Sequence, residues 1–176
     1  TSLPYLQWII RCVPGFPSNN DRNFERLVDV YEGLALTSED ADMQRAYLDT
    51  AITIHDFAPD SLKKAGIEVD PFDWIFAKGR FIQKHNAIVP DLQTTVGSIY
   101  HEAYDLDHTR LQNYYVNYII LDLVTKDKKG EAVEFMDEVE VDFAGDAEVM
   151  TTLENWRGQL FTSPEERIGF LESQID

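Results

Sequence analysis

A single cysteine, Cys12, stands in a chain of 176 residues, which excludes an intramolecular disulfide and any zinc site built from cysteines. Basic residues are scarce: 15 Lys and Arg face 32 Asp and Glu, for a formal charge of −17. Such a chain repels phosphates and anionic lipid surfaces over roughly 8 Å, so direct nucleic-acid binding is not expected. No uninterrupted apolar run reaches the ~20 residues that a bilayer-spanning helix needs, so membrane insertion is not expected either. The sequence starts at Thr1 with neither an initiator Met nor a basic leader and reads as part of a longer chain. The glycine-rich dinucleotide fingerprint, the P-loop and the serine nucleophile elbow are all missing, which removes the commonest phosphate-binding and hydrolase motifs.

Strict apolar–polar alternation is also rare, so almost no strand is expected. Apolar residues instead recur every three and four positions, the helical period. With 44% hydrophobic and 27% charged residues the chain has the composition of a packed globular protein. A first helix from Pro4 carries Tyr5, Trp8, Ile9 and Cys12 on one side, with Cys12 expected as a small buried hydrophobe. It ends before the breakers Pro14, Gly15 and Pro17. The next follows Asn20 and Asp21, whose side chains can accept from free backbone N–H groups, and buries Phe24, Leu27, Val28, Tyr31 and Leu34. A third spans Glu39 to Phe57, with Met43, Ala46, Tyr47, Ala51 and Ile54 inward, and Pro59 is expected to stop it. A short turn ends at Gly66, and Asp70-Pro71 gives a fresh start signal for a helix to Asn86 that packs Trp74, Ile75, Phe76 and Ile82. Further helices are predicted from Pro90, over Thr109–Thr125, Lys128–Phe143 and Asp146–Phe161, and from Ser163. The last has a capping box with Glu166 and presents Ile168, Leu171 and Ile175. Gly33, Gly79 and Gly97 fall within helices, where close helix crossings would offset their cost of about 1 kcal/mol relative to Ala.

Helix starts from residue 71 onward recur every 16 to 21 positions, so a helix pair occupies about 34 to 40 residues, the spacing of stacked hairpins. An offset of 35 sets Tyr114, Tyr115, Tyr118 and Leu121 on Val149, Met150, Leu153 and Trp156, and Val133, Phe135 and Met136 on Ile168, Phe170 and Leu171. An offset of 36 sets Val96, Ile99, Tyr100 and Ala103 on Ala132, Phe135, Met136 and Val139. Phe24-x-x-Leu27-x-x-x-Tyr31 and the segment Gly130 to Phe135 carry a resemblance to the tetratricopeptide-repeat (TPR) family over residues 20–176, although Val28, Tyr115 and Leu153 stand where that family has a small residue. The expected fold is therefore all-α, with eight or nine helices as stacked antiparallel hairpins in a TPR-like α-solenoid. An irregular helical part covers 1–69 and the repeats 70–176. Another helical-hairpin array or an irregular bundle fits the same residues. The resemblance implies a protein- or peptide-binding scaffold, with the first helix of each hairpin lining a groove and no catalytic residue to carry over.

The remaining chemistry is thin. His55-Asp56 resembles the metal-binding dyad of HD phosphohydrolases, but no His precedes it, and a helix C-terminal imidazole is the simpler reading. His85, His101, Glu102 and His108 lack the Glu-x-x-His spacing of a di-iron bundle. No catalytic residue, metal or cofactor is therefore assigned. Between Gly130 and Trp156 lie nine acidic residues, Glu131 to Glu154, with no Lys or Arg, either a solvated surface or a face for a basic partner. The helix from Thr109 is apolar almost all round and is expected to be sandwiched between neighbours. Its polar stripe of Arg110, Asn113 and Asn117, with Tyr114 beside it, is the candidate binding face. The alternatives are an acidic nucleic-acid mimic and a helical metal-dependent hydrolase.

Overall fold

The computed structural model describes residues 3–161 and 163–172. Among them all regular structure is helical, in nine α-helices: α1 (Leu3–Cys12), α2 (Arg22–Thr37), α3 (Ala41–Lys64), α4 (Pro71–Lys84), α5 (Val96–Asp107), α6 (Asn113–Thr125), α7 (Lys129–Asp142), α8 (Ala147–Leu160) and α9 (Pro164–Glu172). The chain forms two compact units, one up to Asp107 and one from His108. Residues 69 and 70 fall inside the first unit, in the loop between α3 and α4. Sequential helices are packing neighbours: α1 with α2, α2 with α3, α3 with α4 and α4 with α5 in the first unit, and α6 with α7 and α7 with α8 in the second.

In the first unit, α2 buries Phe24, Leu27 and Val28 against Leu48, Ala51, Ile52, Ile54, Ala58 and Leu62 of α3. Positions 48, 51, 52, 54, 55, 58 and 62 make a continuous inward stripe, so Met43 and Ala46 stay exposed instead of inside. Pro59 does not stop α3, which continues to Lys64. Proline removes one backbone donor, but Ala58 and Leu62 on either side of it are fully buried, and their packing outweighs the lost bond. The stop comes at Gly66, whose φ of +76° suits the left-handed cap. The Ile67 N–H donates to the Leu62 carbonyl and the Gly66 N–H to that of Lys63, each at 3.0 Å, and Ile67 and Leu62 are both buried.

Other local expectations shift for identifiable reasons. Cys12 is exposed, as are Tyr5 and Trp8, because α1 turns Leu6, Ile9 and Ile10 partly inward, with α2 as its packing neighbour. Residues Pro90–Thr95 form a 3-10 turn, not the start of an α-helix. There the Thr95 hydroxyl donates to the Leu92 carbonyl at 2.7 Å, competing with α-helical pairing, while the Gln93 amide ties the turn to the Ile82 carbonyl of α4 at 2.8 Å. Gly79 is buried and abuts the Tyr100 ring at the α4–α5 crossing, whereas a side chain at Gly33 would meet open space.

The second unit buries Val116, Ile119, Ile120 and Leu123 of α6 with Ala132, Val133, Phe135, Met136 and Val139 of α7 and Val149 and Leu153 of α8. The offset of 36 thus aligns buried with buried, since Val96, Ile99, Tyr100 and Ala103 are inside as well. The offset of 35 does not: Tyr114 and Leu121 are 55% and 44% exposed. A helix apolar on most sides carries no periodic mark of which side faces inward. Ser163 Oγ accepts from the Glu166 N–H at 3.1 Å, the first half of the expected capping box. Ile168 is exposed, and Ile175 lies outside the described residues.

Candidate functional site

The polar stripe proposed on the helix from Thr109 is divided by the way that helix begins. Gln112 is extended (φ −88°, ψ 156°), so α6 starts at Asn113 and Arg110 belongs to a separate 3-10 turn, His108–Arg110. Asn113 and Asn117 remain one turn apart on α6. Asn117 Oδ1 accepts the Trp156 indole N–H at 2.7 Å, tying α6 to α8. Asn113 is half-buried, with its Oδ1 sealed and unbonded. Tyr114 is exposed, donates to the Tyr118 hydroxyl at 3.2 Å and meets the Tyr115 ring edge-on.

The acidic run is less bare than its sequence. Arg157, just beyond its end, reaches back from α8 to Asp137 at 2.6 Å and Glu140 at 2.5 Å on α7. Asp146 is used as the α8 cap, accepting the Glu148 and Val149 N–H groups at 2.9 and 3.1 Å. Lys129 sits 4.4 Å above the Phe161 ring and 3.4 Å from the Glu166 carboxylate.

A denser constellation lies in the first unit, in a cleft of about 290 Å³ between α2, α3 and α4 lined by Asp21, Glu25, Val28, Asp29, His55, Asp73, Trp74 and Ala77. Positions 21, 25 and 29 are four apart, so three carboxylates follow one side of α2 at steps of about 6 Å. Asp73, two residues inside the Pro71 start of α4, adds a fourth. The Trp74 indole donates to Asp21 Oδ2 at 3.3 Å. Burial first, then the charges of Asp21, Asp29 and Asp73, push the Glu25 carboxyl above its usual value, against the pull of Arg22. Four like charges thus share a partly enclosed space.

His55 forms part of the wall. It is 7% exposed and sits edge-on to Trp74, with ring centres 5.6 Å apart. Its Nδ1 lies 2.9 Å from the Ala51 carbonyl, which can only accept, so Nδ1 bears the proton and Nε2 holds a lone pair. Nε2 has no hydrogen-bond partner among the described residues and is not sealed from solvent. Burial also lowers the imidazole pKa, keeping the ring neutral, while the Ala51 carbonyl and Asp56 pull the other way. Asp56 itself is exposed and pairs with Lys78 at 2.5 Å, so the two members of the sequence dyad serve different surroundings.

Elsewhere, His85 Nε2 meets Glu32 Oε1 at 2.6 Å, and Lys84 reaches the same oxygen at 2.6 Å, joining the end of α4 to α2. Among the described residues no three His, Cys, Asp or Glu side chains come together as a metal-ligand group. The run of four-residue steps 21, 25, 29 was visible in the sequence. Its junction with His55 and Trp74 was not, because it depends on how α3 and α4 dock. Compared with protein-family models, with curated proteins and with solved structures, the chain matches none.

Proposed function

We propose that this chain is a protein-binding helical module that grips a segment of a partner without carrying out chemistry of its own. The observation that supports the reading is the cleft between α2, α3 and α4. It gathers four carboxylates, a buried neutral histidine and a buried tryptophan along one concavity. These are groups that bind by charge and hydrogen bonding, and no serine, cysteine or lysine nucleophile lines the cleft beside them. Stacked helical hairpins suit such a role, because each pair adds a face to a continuous surface. The acidic nucleic-acid mimic is the weaker reading, since Arg157 interrupts the acidic face of α7 that would have to imitate a phosphate row.

Affinity capture from the source organism tests the proposal, comparing the wild-type chain with Glu25→Arg. A saturable protein partner that the charge reversal releases is the expected result. Stoichiometric zinc, iron or manganese in the purified protein, with hydrolytic activity lost on chelation, would overturn it in favour of the metal-dependent hydrolase.

A further inference from the structure

We propose that the cleft between α2, α3 and α4 receives the guanidinium of an arginine side chain presented by a protein partner. The inference rests on the binding-module reading above and names the group that the module recognises.

The cleft asks for a donor-only cation. Glu25 and Asp29 make no hydrogen bond or ion pair among the described residues, although both line the cavity. His55 also lines the cavity, and the ring nitrogen it has left unbonded is an acceptor, because Nδ1–H is already bonded to Ala51. Carboxylates and a neutral imidazole nitrogen together accept many hydrogen bonds and supply none. A bare metal ion does not fit, since no three ligands converge. The volume of about 290 Å³ lies at the small end of ligand cavities, enough for one side chain and too little for a large cofactor.

Between the two cationic side chains the geometry favours arginine. Glu25 and Asp29, one turn apart on α2, present two separated acceptors, which the spread N–H donors of a planar guanidinium can bridge better than a compact ammonium. His55 and Trp74 line the same cleft and are both buried, so a cation entering it leaves part of its water behind. Guanidinium also sheds water more readily than ammonium when it enters a partly enclosed site.

The test is titration of the full chain, observed at the Trp74 indole N–H by nitrogen-15 NMR, with N-acetyl-argininamide, N-acetyl-lysinamide, free arginine and magnesium chloride. The capped arginine probe should shift the Trp74 signal saturably, with an affinity in the millimolar range for a single side chain. The lysine probe should bind about tenfold more weakly, a difference of about 1.4 kcal/mol. Free arginine should also bind more weakly than the capped probe, because its α-carboxylate meets the acidic rim. The double variant Glu25→Gln/Asp29→Asn changes two exposed side chains without partners, so its thermal unfolding should stay close to wild type while probe affinity falls about tenfold or more. Equal shifts from arginine, lysine and magnesium would overturn the proposal, showing general charge screening. So would wild-type affinity in the double variant, or tighter binding of free arginine than of the capped probe. Loss of the probe shift alongside intact partner capture overturns the cleft assignment alone. A bound probe with no captured protein overturns the binding-module reading alone.

Discussion

A Cβ built on Gly79 of α4 would lie 2.7 Å from Cε1 of Tyr100 on α5. Tyr100 is fully buried and its hydroxyl donates to the Gln83 side chain, so the ring has little freedom to yield. Gly79→Ala is therefore expected to destabilise by about 1–3 kcal/mol, as overpacking does, despite the better helix propensity of alanine. Gly33→Ala meets nothing within 4 Å and should be neutral or stabilising by up to about 1 kcal/mol. Urea unfolding of the two variants measures both effects, and equal shifts would contradict the crossing geometry.

Glu32 gives the fold an acid-sensitive link. Burial alone would raise its carboxyl pKa, but hydrogen bonds from Lys84 and His85 bring it below the ordinary 4.5. A carboxylate with a lowered folded pKa adds stability above 4.5 that is lost as the pH falls through the folded value. Glu32→Gln should cost about 1.5–3 kcal/mol at neutral pH, the range for hydrogen bonds to charged partners, and the difference from wild type should shrink in acid. Thermal melts at pH 7 and pH 3 provide the comparison.

His55 contributes at a higher pH. Its folded pKa lies below 6.5, so the neutral ring is favoured in the native state, and stability is present above 6.5 and lost as the pH falls below it. Proton NMR should find the His55 ring more than half neutral at pH 6.5, where an unperturbed imidazole is half protonated. An apparent pKa at or above 6.5 would contradict the buried, acceptor state of Nε2.

The link from Asn117 to Trp156 turns part of the sequence-based binding stripe into structure. Asn117→Ala leaves the indole N–H without its partner and should destabilise the second unit by about 1 kcal/mol. Replacing Arg110, Asn113 and Asn117 together is therefore not silent, and binding data from that triple variant need a stability control. Denaturant titration of a version that keeps Trp156 as its one tryptophan supplies it.

Helix type and order were legible because the three-and-four spacing of Phe24, Leu27, Val28 and of Val96, Ile99, Tyr100, Ala103 records burial directly. The end of α3 was not, because Pro59 weighs one local bond whereas Ala58 and Leu62 weigh contacts with distant residues. The inward side of α6 was hidden for the opposite reason: too many apolar positions compete, and docking alone selects Val116, Ile119, Ile120 and Leu123. The cleft was half visible, as a carboxylate ladder on α2 without the His55 and Trp74 that close it.

The three tryptophans occupy three different surroundings, which gives the molecule a built-in optical code. Trp8 is 55% exposed and stacks on Tyr5 at a ring separation of 6.2 Å, Trp74 is buried in the first unit, and Trp156 is half-buried and hydrogen-bonded in the second. Solvent-facing indoles emit at longer wavelength than enclosed ones, so a red component belongs to α1, and the bluer emission divides between the two units. Single-tryptophan versions made with Phe would separate the melting of the first unit from that of the second. They would also show whether one cooperative transition covers the whole chain or each unit has its own.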